Sequence, residues 1–219
     1  MTQAHGVVAG EQVDSLLDVL ASGSAESGSG TFASLAAASG AALVTAVARR
    51  TMRHLSDSDR VAARMAEIAG EADAARPVLL AAADRDAEVQ RELATAVGLP
   101  QDTGEQRTAR LVDLRSMLEE AVDGQLELAR RSVLLAGLAE EATAASDPNA
   151  AADGLSAVAA LHAAVISALA NVELNAFAIV DADRREELTI TCRALRDRAT
   201  YMLDDARAAF DGRVRLTAP

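Results

Sequence analysis

The sequence predicts an all-α protein, an up-and-down bundle of about six helices, two of them long and open to kinking. Three observations lead there. Apolar residues recur at helical spacing along the chain, and no stretch reads as a strand. Half of the 219 residues are hydrophobic but only 2% are aromatic, so the core must be built from Ala, Leu and Val. Capping and breaking residues fall at intervals that leave short turns between long helical runs.

Taken in order, Glu11 to Ala21 forms a first helix, with Val13, Leu16, Leu17 and Leu20 on one face. Ser22 to Thr31 is a Gly/Ser-rich loop, and Phe32 to His54 a second helix rich in small residues. Ser56-Asp57-Ser58-Asp59 offers an N-cap for a third helix running to Val97, with Pro77 as a kink or break. Gly98-Leu99-Pro100 ends it. Thr103 and Gln106 have the spacing of a capping box and open a fourth helix to Ala144, in which Gly124 is a weak point. Asp147-Pro148-Asn149 separates this from a fifth helix ending at Val180. Asp183 to Glu186 caps a sixth, which reaches Gly212. No repeat or linker divides the chain, so residues 1–219 read as one domain, with 1–8 and 213–219 as loose tails.

The balance of charges narrows the partners. A formal charge of −12 and a pI near 4.7 argue against nucleic acid and anionic membrane surfaces. All 21 basic residues are Arg, which excludes Schiff-base chemistry on a lysine. The single cysteine, Cys192, permits no internal disulfide and reads as a packed thiol. Three scattered histidines without a paired spacing argue against a metal site. Met1 to Gly10 lacks the pattern of a signal peptide, and the apolar run Ala33 to Ala48 is short and broken, so a cytoplasmic protein is expected. An alanine-rich core buries little area per residue, and a homodimer that covers a further helix face is expected.

Several segments point to a family. Ser27-Gly28-Ser29-Gly30-Thr31 lies before a helix that contains Gly40-Ala41-Ala42-Leu43-Val44. Asp84-Arg85-Asp86-Ala87 is followed by Gly98-Leu99-Pro100, then by Asp147-Pro148-Asn149-Ala150-Ala151-Ala152-Asp153 and Asn171-Val172-Glu173-Leu174-Asn175. In order and spacing this resembles the formiminotetrahydrofolate cyclodeaminase and methenyltetrahydrofolate cyclohydrolase family. The chain departs from that family's pattern in four places. Ser29 stands at the centre of its glycine loop, Arg53-His54 replaces a Gly-Lys pair, Ala152 replaces a serine, and Gln90 stands where an aromatic is expected.

The resemblance implies a small-molecule enzyme that forms or opens a C–N ring bond by acid/base catalysis. A tetrahydrofolate derivative is then the substrate, and no separate cofactor is needed. Asp153 is the leading candidate for proton transfer, because a carboxyl group whose pKa sits near neutrality can serve both the attacking and the leaving nitrogen; its competing role is helix capping. His54 is a second catalytic candidate at the family's lysine position, and Arg53 a neighbouring substrate contact, although cations at a helix C-terminus also serve the dipole. Gly28, Ser29, Gly30 and Thr31 are candidates to cradle the substrate at a helix start. Asn171 and Asn175 share a helix face with each other and with Asp153. Eighteen residues separate Asp153 from Asn171, a rise of about 27 Å, so one small substrate reaches both only with help from another subunit. His162 reads as a packing residue, and Asp84 and Asp86 as solvated or capping groups. The four departures support a rival reading, a diverged cyclase, dehydratase or C–N lyase of specialised metabolism that does not use folate. A non-catalytic helical scaffold is the third.

Overall fold

The computed structural model describes residues 13–23, 28–53, 60–146 and 148–217. These form six α-helices: α1 (Val13–Ala21), α2 (Ser29–Met52), α3 (Arg60–Val97), α4 (Gly104–Ala145), α5 (Ala151–Ala176) and α6 (Ala182–Thr217), with a 3₁₀ turn at Pro148–Ala150 before α5. The helical bundle expected from periodicity is the observed fold.

Helices α2 and α5 form its centre. α2 packs against α3, α4 and α5, while α5 also touches α4 and α6. They run antiparallel: Ser29 at the start of α2 meets Asn171 near the end of α5, and Arg50 at the end of α2 meets Asp153 at the start of α5. Each is long and apolar enough to cross a membrane, yet each turns an apolar stripe onto the other helices of the bundle. Ala33, Ala37, Ala41, Val44 and Ala48 of α2 are fully enclosed, as are Ala157, Leu161, Ala164, Ala168 and Leu169 of α5. Small residues set the spacing. A Cβ on Gly40 would stand 2.5 Å from Leu161 Cγ, so glycine is what lets the two axes approach. Cys192 is part of the same core, and burial pushes its thiol pKa up.

The helix ends show which boundaries are local. The Thr103 capping box is present: Gln106 N–H donates to Thr103 Oγ1 at 3.2 Å, and Thr103 N–H to Gln106 Oε1 at 3.0 Å. α2 begins at Ser29, three residues before the expected Phe32, which draws Ser29, Gly30 and Thr31 out of the loop and into the first helical turn. α3 continues through Pro77 without a break, because Ala72 and Leu79 on either side are locked in the core while Pro77 faces solvent. α5 stops at Ala176 rather than Val180; Ile179 turns back into the core, and Arg185 closes the corner by donating to the Ile179 carbonyl at 2.6 Å. The cap of α6 is Asp181, not Asp183: its Oδ1 accepts from the N–H groups of Asp183 and Arg184. α6 then runs past Gly212 to Thr217, so residues 213–217 are helix rather than tail. The expected cap at Ser56–Asp59 and the tail at residues 1–8 lie outside the described residues.

Candidate active site at the start of the second helix

The first turn of α2 has no side-chain cap. Gly28 is the N-cap, and the opening N–H groups of a helix have no acceptor within it, which makes this end a place for negative charge. Thr31 does not cap the helix; it lies inside it, with its hydroxyl buried and unpartnered. Ser29 Oγ donates to Asn171 Oδ1 at 2.8 Å, and Asn171 Nδ2 donates to the Ser167 carbonyl at 3.1 Å. Asn175 lies one turn further along α5 and is half-buried.

Two residues from other helices complete this end. Asp86 of α3 reaches Gly30, and so does Gln125 of α4. A Cβ on Gly30 would stand 2.5 Å from Gln125 Nε2 and closer still to Asp86 Oδ2, so a side chain here would displace the Asp86 and Gln125 head groups. Gln125 Nε2 donates to Asp86 Oδ1 at 2.7 Å. Burial pushes the Asp86 carboxyl pKa above the ordinary carboxylate range, and the Gln125 hydrogen bond only partly offsets this. Asp86 and Gln125 line a cleft of about 220 Å³ between α3 and α4, walled by Ala82, Val89, Ala121 and Leu128. At its rim Arg85 is tied to Glu88 and Glu120.

The other expected residues lie elsewhere. Asp153 pairs with Arg50 at 3.4 Å, both partly exposed, and Arg53 is the exposed C-cap of α2. These sit at the far end of α2 from Gly30; Ser29 and Arg50 are 21 residues apart, about 31 Å along the axis. The structure therefore separates Asp153 and Arg53 from the Gly28–Thr31 turn, Asn171 and Asn175 within one chain. His54 lies outside the described residues. His162 is half-buried in mid-α5. A second cleft of about 240 Å³ lies near the Asp153 end, between α4, α5 and α6, with Glu140 and Asp205 among its lining residues.

Asp86, expected as a solvated or capping group, is instead partly buried mid-helix and held by Gln125, so these two residues were legible only in part. Asp86 shares the apolar stripe of α3 with Leu79, Ala83 and Val89, and Gln125 sits among Ala121, Val122, Leu128 and Ala129 of α4. A polar side chain on a buried stripe marks a candidate site. Asp84, two residues from Asp86, lies off that stripe.

Residues 12–194 match the formiminotransferase-cyclodeaminase family model. The chain belongs to this family. Among its relatives is a methenyltetrahydrofolate cyclohydrolase of Methylorubrum extorquens, 30% identical over 177 residues that cover 81% of this chain and 85% of the relative. The crystal structure of a formiminotetrahydrofolate cyclodeaminase from Thermotoga maritima superposes with a TM-score of 0.72, covering 94% of this chain and 99% of that one at 21% identity. That likeness shows the cyclodeaminase fold, and the family segment that contains Asp84 and Asp86 is the one that faces Gly30.

Proposed function

We propose that the chain is a cytoplasmic enzyme of one-carbon chemistry that makes or opens a C–N bond at an amidine carbon, the formimino or methenyl unit of tetrahydrofolate, with Asp86 moving the proton. One observation carries this reading: a carboxyl group, buried enough for its pKa to rise, is held by Gln125 against the first turn of α2 in a cleft. A formimino group, once protonated on its imino nitrogen, and a methenyl group both hold their carbon in a cationic N–C–N unit, and the carboxylate complements that charge. In ring closure the arylamine N–H of the folate attacks the formimino carbon and a new C–N bond forms. Asp86 accepts the proton from that nitrogen and returns it to the departing nitrogen, whose bond to carbon breaks as ammonia leaves. In hydrolysis of the closed ring, water takes the place of the attacking nitrogen. A positioned acid/base of this kind contributes about 10²- to 10⁴-fold.

A second reading, action on an amidine or C–N bond of a metabolite other than folate, is favoured by the rim of the cleft. Glu120 and Asp123 border it, and Arg85 is engaged by Glu120 and by Glu88. The anionic glutamate tail of a folate meets an unfavourable field there. The exposed Leu174, Phe177 and Val180 at the end of α5 support a homodimer as the working form.

Turnover of formimino- and methenyl-tetrahydrofolate by the purified protein separates these readings. With either folate as substrate, Asp86→Asn should lower kcat by about 100-fold or more, while Asp153→Asn stays within about threefold. Loss of activity in Asp153→Asn alone would return the chemistry to the other end of α2. Absence of turnover on both folates would favour the second reading or a scaffold.

A further inference from the structure

Gln125 is enclosed in the protein, only 4% exposed, yet half of its amide is unused. Nε2 donates to Asp86, which sets the orientation, because turning the amide would oppose two acceptors. Oε1 is then left buried with no partner. An unpaired buried carbonyl oxygen is costly, and native proteins keep few. This one belongs to a side chain that lines the α3–α4 cleft beside the Asp86 carboxylate. The Asp86 carboxylate and the enclosed, unpaired Oε1 of Gln125 together match a cationic group that bears N–H.

We propose that Gln125 Oε1 accepts a hydrogen bond from a nitrogen-borne hydrogen of the substrate. The site thereby takes the open amidine, a formimino group with its N–H, in preference to the closed amidinium ring, whose two nitrogens carry no hydrogen. This rests on the reading that Asp86 is the acid/base at an amidine carbon. The nitrogen held by Gln125 is the one that leaves as ammonia after Asp86 protonates it. Gln125 is thus a substrate-binding residue that sets specificity.

The test compares wild type, Gln125→Met and Asp86→Asn on formimino- and methenyl-tetrahydrofolate. Losing the Gln125 bond to Asp86 affects both reactions alike, so the ratio of the two kcat/KM values isolates the role of Oε1. Gln125→Met should lower kcat/KM for the formimino substrate by about 10- to 100-fold and for the methenyl substrate by less than about threefold, which is the selectivity such a hydrogen bond supplies. Equal losses on both substrates, or none on either, would overturn the inference while leaving Asp86 in place. Wild-type turnover in Asp86→Asn would instead remove the reading beneath it. A probe independent of turnover is formamidinium against its tetramethyl derivative, followed through the Gln125 side-chain amide signal of the wild-type protein by NMR. Saturable binding of formamidinium alone supports the proposal, even if the methionine variant does not fold. Equal response to both cations, or to neither, overturns it.

Discussion

In its proposed role Asp86 would serve chemistry at the expense of stability. Its folded pKa is raised by burial, so the fold favours the neutral acid. The sign of the linkage follows: the folded state is best supported below the ordinary carboxylate pKa of about 4, and that support is lost as pH rises through the window between this value and the folded one. Asp86→Asn removes the ionisable group. The variant is expected to melt at a higher temperature than wild type at pH 7.5, with the gap narrowing toward pH 4. Melting curves followed by circular dichroism across that range provide the check, and a gap independent of pH would contradict it. Gly30 is the counterpart, a residue chosen for what it omits: the space of its missing Cβ holds the Asp86 carboxylate and the Gln125 amide.

Among elements, the contact of α2 with α5 governs the fold. It is built from alanines and from Gly40, which lies against Leu161 Cγ and the Ala157 carbonyl. Gly154 plays the same part between α5 and α4, where a Cβ would strike the Thr143 side chain. A methyl group at Gly40 must push the two axes apart or force Leu161 off its rotamer. Gly40→Ala should therefore destabilise by about 1–3 kcal/mol, despite the better helix propensity of alanine. Urea denaturation measures this, and a stabilised variant would show that the contact yields. The ion pairs between helices lie at the surface, as with Arg64 and Glu141 or Arg196 and Glu173. They fix neighbours and direction more than they stabilise.

For the whole molecule, an alanine-built core leaves apolar surface uncovered. Phe177 is 88% exposed, beside the similarly open Leu174 and Val180. Aromatic side chains of this kind dominate the energetics of interfaces. Sedimentation should give a mass of twice 22.6 kDa for the wild type and one copy for Phe177→Asp. A wild type that sediments as one copy at every concentration would rule out the homodimer.

The sequence by itself determined the helices, their order and the family. These signals are local: 3.6-residue periodicity, the Thr103–Gln106 box, and turns that break the pattern. Short motifs in the right order named the family, including the loop around Gly30 and the segment around Asp86. Tertiary structure decided which of these motifs meet. Ser29 and Asn171 are 142 residues apart, and Asp86 and Gln125 are 39 apart. The start of α2 was hidden for the same reason, since Gly30 enters the helix under side chains supplied by α3 and α4. Asp153 lies about 27 Å from Asn171 along α5 itself, and the antiparallel course of α2 and α5 brings Asn171, not Asp153, to the Gly28–Thr31 turn. Helical phase records the direction in which a side chain points, whereas packing sets how far along the bundle it lies and what it meets there.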